Sequence, residues 1–150
     1  MEARELRIGN LVDYYGNIVT INSINDNDVG FSDYVPVDYP LLEEINPIPI
    51  TEDWLVKLGF ELIDYDLFGE EDQDEEICLV FKIQHPKFKT WKLGVDLFVD
   101  DKHCQLYLIL DDKLKDDYIL YHSFIKHIHQ LQNLFFALTG EELELKQTDK

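Results

Sequence analysis

Four of the five prolines, Pro36, Pro40, Pro47 and Pro49, fall within fourteen residues. Proline lacks a backbone N–H and biases its predecessor towards extended backbone, so neither a helix nor a central strand can run through that stretch. The prolines therefore divide a 150-residue chain of single-domain length into a segment 1–35, a connector 36–50 and a segment 51–150, read together as one domain.

The first segment carries short β-forming runs separated by turn residues. Residues 10–15 and 18–24 are rich in β-branched and aromatic side chains, and Gly16-Asn17 between them reads as a hairpin turn. Residues 25–28, Asn-Asp-Asn-Asp, and Gly30 mark a second turn before a third short strand. Such a meander predicts a small, strongly bent sheet of SH3-like shape.

After the prolines, Thr51 is placed to cap a helix, with Glu52 and Asp53 at the positive end of its dipole and Gly59 ending it after about two turns. Alternation then predicts strands at 60–63, 77–83, 87–99 and 104–110, interrupted by an acidic stretch at 64–76. Tyr121, Phe124, Ile128, Leu131, Phe135 and Leu138 recur at spacings of three and four, which predicts one long helix over 117–138. Thr139-Gly140 would stop it, and residues 141–145 would add an edge strand. The expected fold is α+β: an N-terminal SH3-like β-meander, a short helix, an antiparallel sheet, and a long C-terminal helix packed on that sheet.

Charge narrows the classes of function. Seventeen of the thirty-one acidic residues lie between Asp26 and Glu76, where Lys57 is the only base, and the whole chain has a formal net charge of −18. Such a field repels nucleic acid and anionic membrane and attracts basic partners. With 45% hydrophobic residues the chain is not a disordered acidic tail. Its apolar runs are too short to span a bilayer, and its first residues lack the pattern of a secretory signal. Cys78 and Cys104 sit in apolar runs without CxxC spacing and read as reduced core thiols, which places the chain in a cytoplasm.

Three segments, Glu5-Leu-Arg-Ile-Gly-Asn-Leu-Val12, Ile45-Asn-Pro-Ile-Pro-Ile-Thr-Glu-Asp-Trp-Leu-Val-Lys-Leu-Gly-Phe60 and His129-Gln-Leu-Gln-Asn-Leu-Phe-Phe-Ala-Leu-Thr-Gly-Glu-Glu-Leu143, resemble a family of small proteins from Bacteroidetes phages, prophages and their hosts. With their near flanks they cover about sixty residues. The family brings no assigned activity, and its motif residues read as caps, turns and core. The resemblance implies a mobile-element setting, in which proteins often interfere with host or defence machinery. The acidic middle of the chain departs most from the family.

The acidic stretch supports two chemistries. As a twelve-residue calcium loop, Asp64 takes position 1, Asp66 position 3, Gly69 position 6, Glu70 position 7, Asp72 position 9 and Glu75 position 12. Phe68 then stands at position 5, where an oxygen ligand belongs, and both flanks read as strands. As a mimic of a nucleic-acid backbone, Asp64, Asp66, Glu70, Glu71, Asp72, Asp74, Glu75 and Glu76 would present negative charge to a basic groove, in a contact that weakens with salt. The plain alternative is a solvated acidic surface.

The remaining motifs are weaker. Lys82, Lys87, Lys89 and Lys92 interleave with Phe88 and Trp91, a pattern found in single-strand nucleic-acid binders but equally in guarded edge strands. On a continuous helix His122, His127 and His129 include no i, i+4 pair, and 127 and 129 would point apart. There is no GxSxG setting and no phosphate-cradling glycine loop. These features predict a non-enzymatic binding protein without cofactor or metal. Its partner would be the basic surface of a nucleic-acid-binding host protein, most concretely a CRISPR effector nuclease, whose channels are basic. The competing expectations are a phage structural or adaptor module, docking through the SH3-like segment and the C-terminal helix, and, ranked last, a divalent-metal hydrolase.

Overall fold

The computed structural model describes residues 1–32, 39–68, 76–84, 91–98, 103–110 and 118–146, and much of its larger sheet is described by backbone and register. The protein is a mixed α+β chain of antiparallel sheets with a C-terminal helix. It divides into two compact units, one formed by residues 1–49 and 127–143, the other by 50–126 and 144–150. No helix among the described residues is long and apolar enough to cross a membrane.

In the first unit, β1 (Leu11–Tyr14), β2 (Asn17–Ile24), β3 (Val29–Phe31) and β4 (Ile45–Asn46) form a sheet ordered β3-β2-β1-β4. The first hairpin turns one residue earlier than the sequence indicates. Its two loop residues are Tyr15 and Gly16, at φ 50° and 81°, with Tyr14 opposite Asn17. A two-residue loop with both centres at positive φ matches the right-handed twist of its strands, and this outweighs the cost of a tyrosine there. The Gly16 N–H donates to Asp13 Oδ1 at 2.6 Å, which closes the turn. Within the connector, Pro40 O accepts from Val29 N at 2.9 Å, and among its described residues only β4 is regular. Leu6, Val12, Val19, Ile21, Val29, Phe31 and Ile45 make one buried cluster.

The predicted 22-residue helix is instead a strand followed by a shorter helix: β9 (Tyr118–Ile125) and α2 (Ile128–Thr139). Residues 118–125, Tyr-Ile-Leu-Tyr-His-Ser-Phe-Ile, are bulky enough to suit either state, and pairing with a neighbouring strand decides it. His127 is extended (φ −133°, ψ 151°) and bridges to Pro49, while Ile128 N donates to Ile48 O at 2.9 Å. These contacts end the extended chain and start α2, whose first turn is closed by Gln130 Oε1 accepting from His127 N at 3.2 Å. Gly140, left-handed at φ 71°, ends the helix as expected.

α2 packs beside β1 in this first unit. It buries Ile128, Leu131 and Phe135, together with the polar Gln132. Gln132 Oε1 accepts from Leu11 N at 2.9 Å, and its Nε2 donates to Gly9 O and Leu143 O at 3.3 and 3.1 Å. Asn10, fully buried, accepts from Arg7 N at 2.7 Å and donates to Asn133 Oδ1 at 2.9 Å. Residues 141–145, expected as an edge strand, hold no regular structure: Leu143 is buried and its carbonyl is taken by Gln132.

In the second unit, Thr51 caps α1 (Glu52–Lys57) by accepting from Trp54 N at 3.4 Å, and Gly59 at φ 95° ends it. The sheet is a meander in chain order: β5 (Glu61–Phe68), β6 (Glu76–Gln84), β7 (Trp91–Phe98), β8 (His103–Leu110) and β9. Cross-strand pairs Leu79 with Leu97 and Phe81 with Val95 are all buried, which gives the sheet its apolar face.

Candidate functional site

The acidic stretch expected to interrupt the sheet is in part built into it. β5 runs on to Phe68 and β6 begins at Glu76, so the strands form an antiparallel pair. Of the proposed contact residues, Asp64 stands opposite Val80, Asp66 opposite Cys78, and Glu76 opposite Phe68. Glu70, Glu71, Asp72, Asp74 and Glu75 lie outside the described residues. The register shifts between Leu62 and Asp64, one extra residue on β5 that increases local twist. Three acidic residues thus have their backbone in a ladder, with β5 as an edge of the sheet.

That placement has a physical consequence. Acidic residues along an edge strand oppose pairing with another chain's strand, a protective role the sequence reading did not weigh for them. The calcium-loop spacing fares worse. Its first five positions, Asp64 to Phe68, are extended strand backbone and not the turn that such a loop requires.

Of the four clustered lysines, Lys82 lies on β6 and Lys92 on β7, while Lys87 and Lys89 are outside the described residues. The histidines sit differently from the helical reading. His122 belongs to β9, and the extended backbone of His127 brings its ring over that of His129 at 5.6 Å with a 9° interplanar angle. His129 is 2% exposed and its Nδ1 has no hydrogen-bond partner. Burial, then the neighbouring His127, lower its pKa to about 4, with Glu5 opposing and the chain's amino terminus adding to the shift. A neutral imidazole filling a core position is what that environment favours. No trio of His, Cys, Asp or Glu suited to a metal ion occurs among the described residues.

Two of the three segments that carry the phage-family resemblance meet in the Asn10–Gln132 network. Their polar residues satisfy backbone groups in the interior of the first unit. Comparisons with protein-family models, curated proteins and solved structures found no match.

Proposed function

We propose that this chain is a non-enzymatic binding protein of phage or prophage type that acts in the host cytoplasm. It engages a basic, nucleic-acid-handling host protein through the acidic β5–β6 pair and inhibits it. The carrying observation is the concentration of seventeen of thirty-one acids between Asp26 and Glu76, with Asp64, Asp66 and Glu76 fixed in paired strands. Carboxylates presented this way compete with phosphates for the same lysines and arginines. The most concrete target is a CRISPR effector nuclease, because it holds its heteroduplex in a positively charged channel.

The test is a tagged pull-down from a Bacteroidetes-type cytoplasm, with and without the effector, washed at low and high salt. Recovery of a basic nucleic-acid enzyme that salt releases, and that a variant with Asp64, Asp66, Glu75 and Glu76 changed to Lys fails to capture, is the expected result. Unchanged capture and salt dependence in that variant would refute the proposal. A second reading, an adaptor docking through an SH3-like N-terminal sheet, draws on the exposed Tyr15 and Ile18 at the first hairpin. Its partner would resist the salt wash, because apolar contact is little screened.

A further inference from the structure

The second unit carries a feature of opposite sign to its surroundings. A cleft of about 430 Å³ is lined by Gly59, Glu61, Ile83 and Gln84 and by three lysines, Lys82, Lys92 and Lys146. The register explains the gathering on the strands: Lys82 lies opposite Glu61 on one side, and Gln84, two residues on, lies opposite Lys92 on the other. Side chains two apart on a strand, and those directly opposite across a pair, share one face of a sheet. That face is the reverse of the one on which Phe81 and Val95 are buried.

Lys146 comes from the far end of the chain and is held there by its backbone. Its N–H donates to Lys57 O at 2.8 Å, at the end of α1. A β-carbon on Gly59 would lie 2.8 Å from Lys146 Cε, so the glycine leaves room for the lysine stem to cross. Three lysines and one carboxylate thus line the cleft among the described residues, in a chain whose net charge is −18. Among the described residues, the side chains of Lys82 and Lys146 have no ion pair and no hydrogen bond.

We infer that this cleft is a binding site for a small phosphorylated molecule. Lysine ammonium groups are compact point charges that suit the clustered negative oxygens of a phosphate. The volume falls in the range of small-molecule sites, roughly 300–1,000 Å³, and accepts a ligand larger than inorganic phosphate. The acidic bulk of the chain does not abolish this attraction, because fields beyond about 8 Å are largely screened at physiological salt while contacts inside the cleft are not.

The test is a titration of the ¹⁵N-labelled full chain with inorganic phosphate, pyrophosphate and citrate, read at the amides of Gly59, Lys82, Gln84, Lys92 and Lys146. Saturable shifts with pyrophosphate, stronger than with phosphate or citrate, are expected. Lys146→Gln and Lys82→Gln should each weaken the affinity about fivefold, the effect of one lost charge contact in a solvated site. Lys126→Gln, outside the cleft, should leave it unchanged. Lys146 lies in an exposed segment without regular structure, so its variant leaves the strands intact. Shifts that do not saturate, or that ignore the Lys146 change, would overturn the site. Citrate binding as tightly as pyrophosphate would overturn the phosphate assignment.

Discussion

The buried His129 makes the stability of the first unit depend on pH, and the size of that dependence follows from its surroundings. The ring is 2% exposed, Nδ1 has no partner, and the pKa is lowered from 6.5 to about 4. In the unfolded chain the imidazole takes up a proton near its ordinary pKa, so below about 6.5 the unfolded state holds more protons than the folded state. Stability from this group is therefore whole above about pH 6.5, falls as the pH drops from there, and is fully lost below about pH 4. The complete loss is roughly 3 kcal/mol, at ~1.4 kcal/mol per unit of pKa difference, and about 2 kcal/mol of it is gone by pH 5.

Many carboxylates titrate in the same range, so the measurement is a difference. Native-state hydrogen exchange of the α2 amides, corrected for intrinsic rates, compares the wild type with His129→Leu at pH 8 and pH 5. Trp54 and Trp91 both belong to the other unit, so tryptophan fluorescence would follow the wrong transition. At pH 8 the two proteins should agree within about 1 kcal/mol, because leucine is close in volume and removes an unpartnered nitrogen. At pH 5 the variant should have gained about 2 kcal/mol relative to the wild type. A change in the gap below about 0.5 kcal/mol would mean that His129 is solvated, or finds a partner when protonated, and the reasoning would fail.

Gln132→Leu removes the acceptor for Leu11 N and the donor to two carbonyls, and should cost the first unit about 2–4 kcal/mol by the same exchange measurement; a cost under about 1 kcal/mol would show that water replaces the amide. Gly59→Ala places a β-carbon at φ 95° against the Lys146 stem and should lower the stability of the second unit by about 1–2 kcal/mol, read by urea unfolding followed through Trp54. Thr51→Ala removes a long capping bond of 3.4 Å and should cost only about 0.5 kcal/mol in the same assay, at the low end for N-caps.

Features set by local chemistry were legible before any coordinates. Thr51 and Gly59 bound α1 because a cap oxygen and a residue able to adopt positive φ are decided by the residues themselves. Gly140 ended α2 for the same reason, and the alternating runs at 77–83 and 104–110 lie within β6 and β8. Of the candidate interaction surface, its charge was plain in the sequence. That Asp64, Asp66 and Glu76 occupy paired strands was not, because acids are poor strand formers and only β5–β6 pairing holds them extended.

Tertiary structure decided the rest. The three-and-four spacing from Tyr121 to Leu138 cannot distinguish a helix from a strand followed by a helix, because bulky side chains suit both states. The outcome turned on partners outside the segment: the preceding strand β8 for residues 118–125 and, far away in the chain, Ile48 and Pro49 for residues 127–128. The stacking of His127 on His129 and the meeting of Lys82, Lys92 and Lys146 depend likewise on chain crossings that no local pattern encodes. Sequence by itself determined where this chain can turn, cap and carry charge, since those properties belong to single residues and their neighbours. Which residues share a cleft or a core was settled only by long-range pairing, whose free energy is held jointly by segments that sequence order keeps apart.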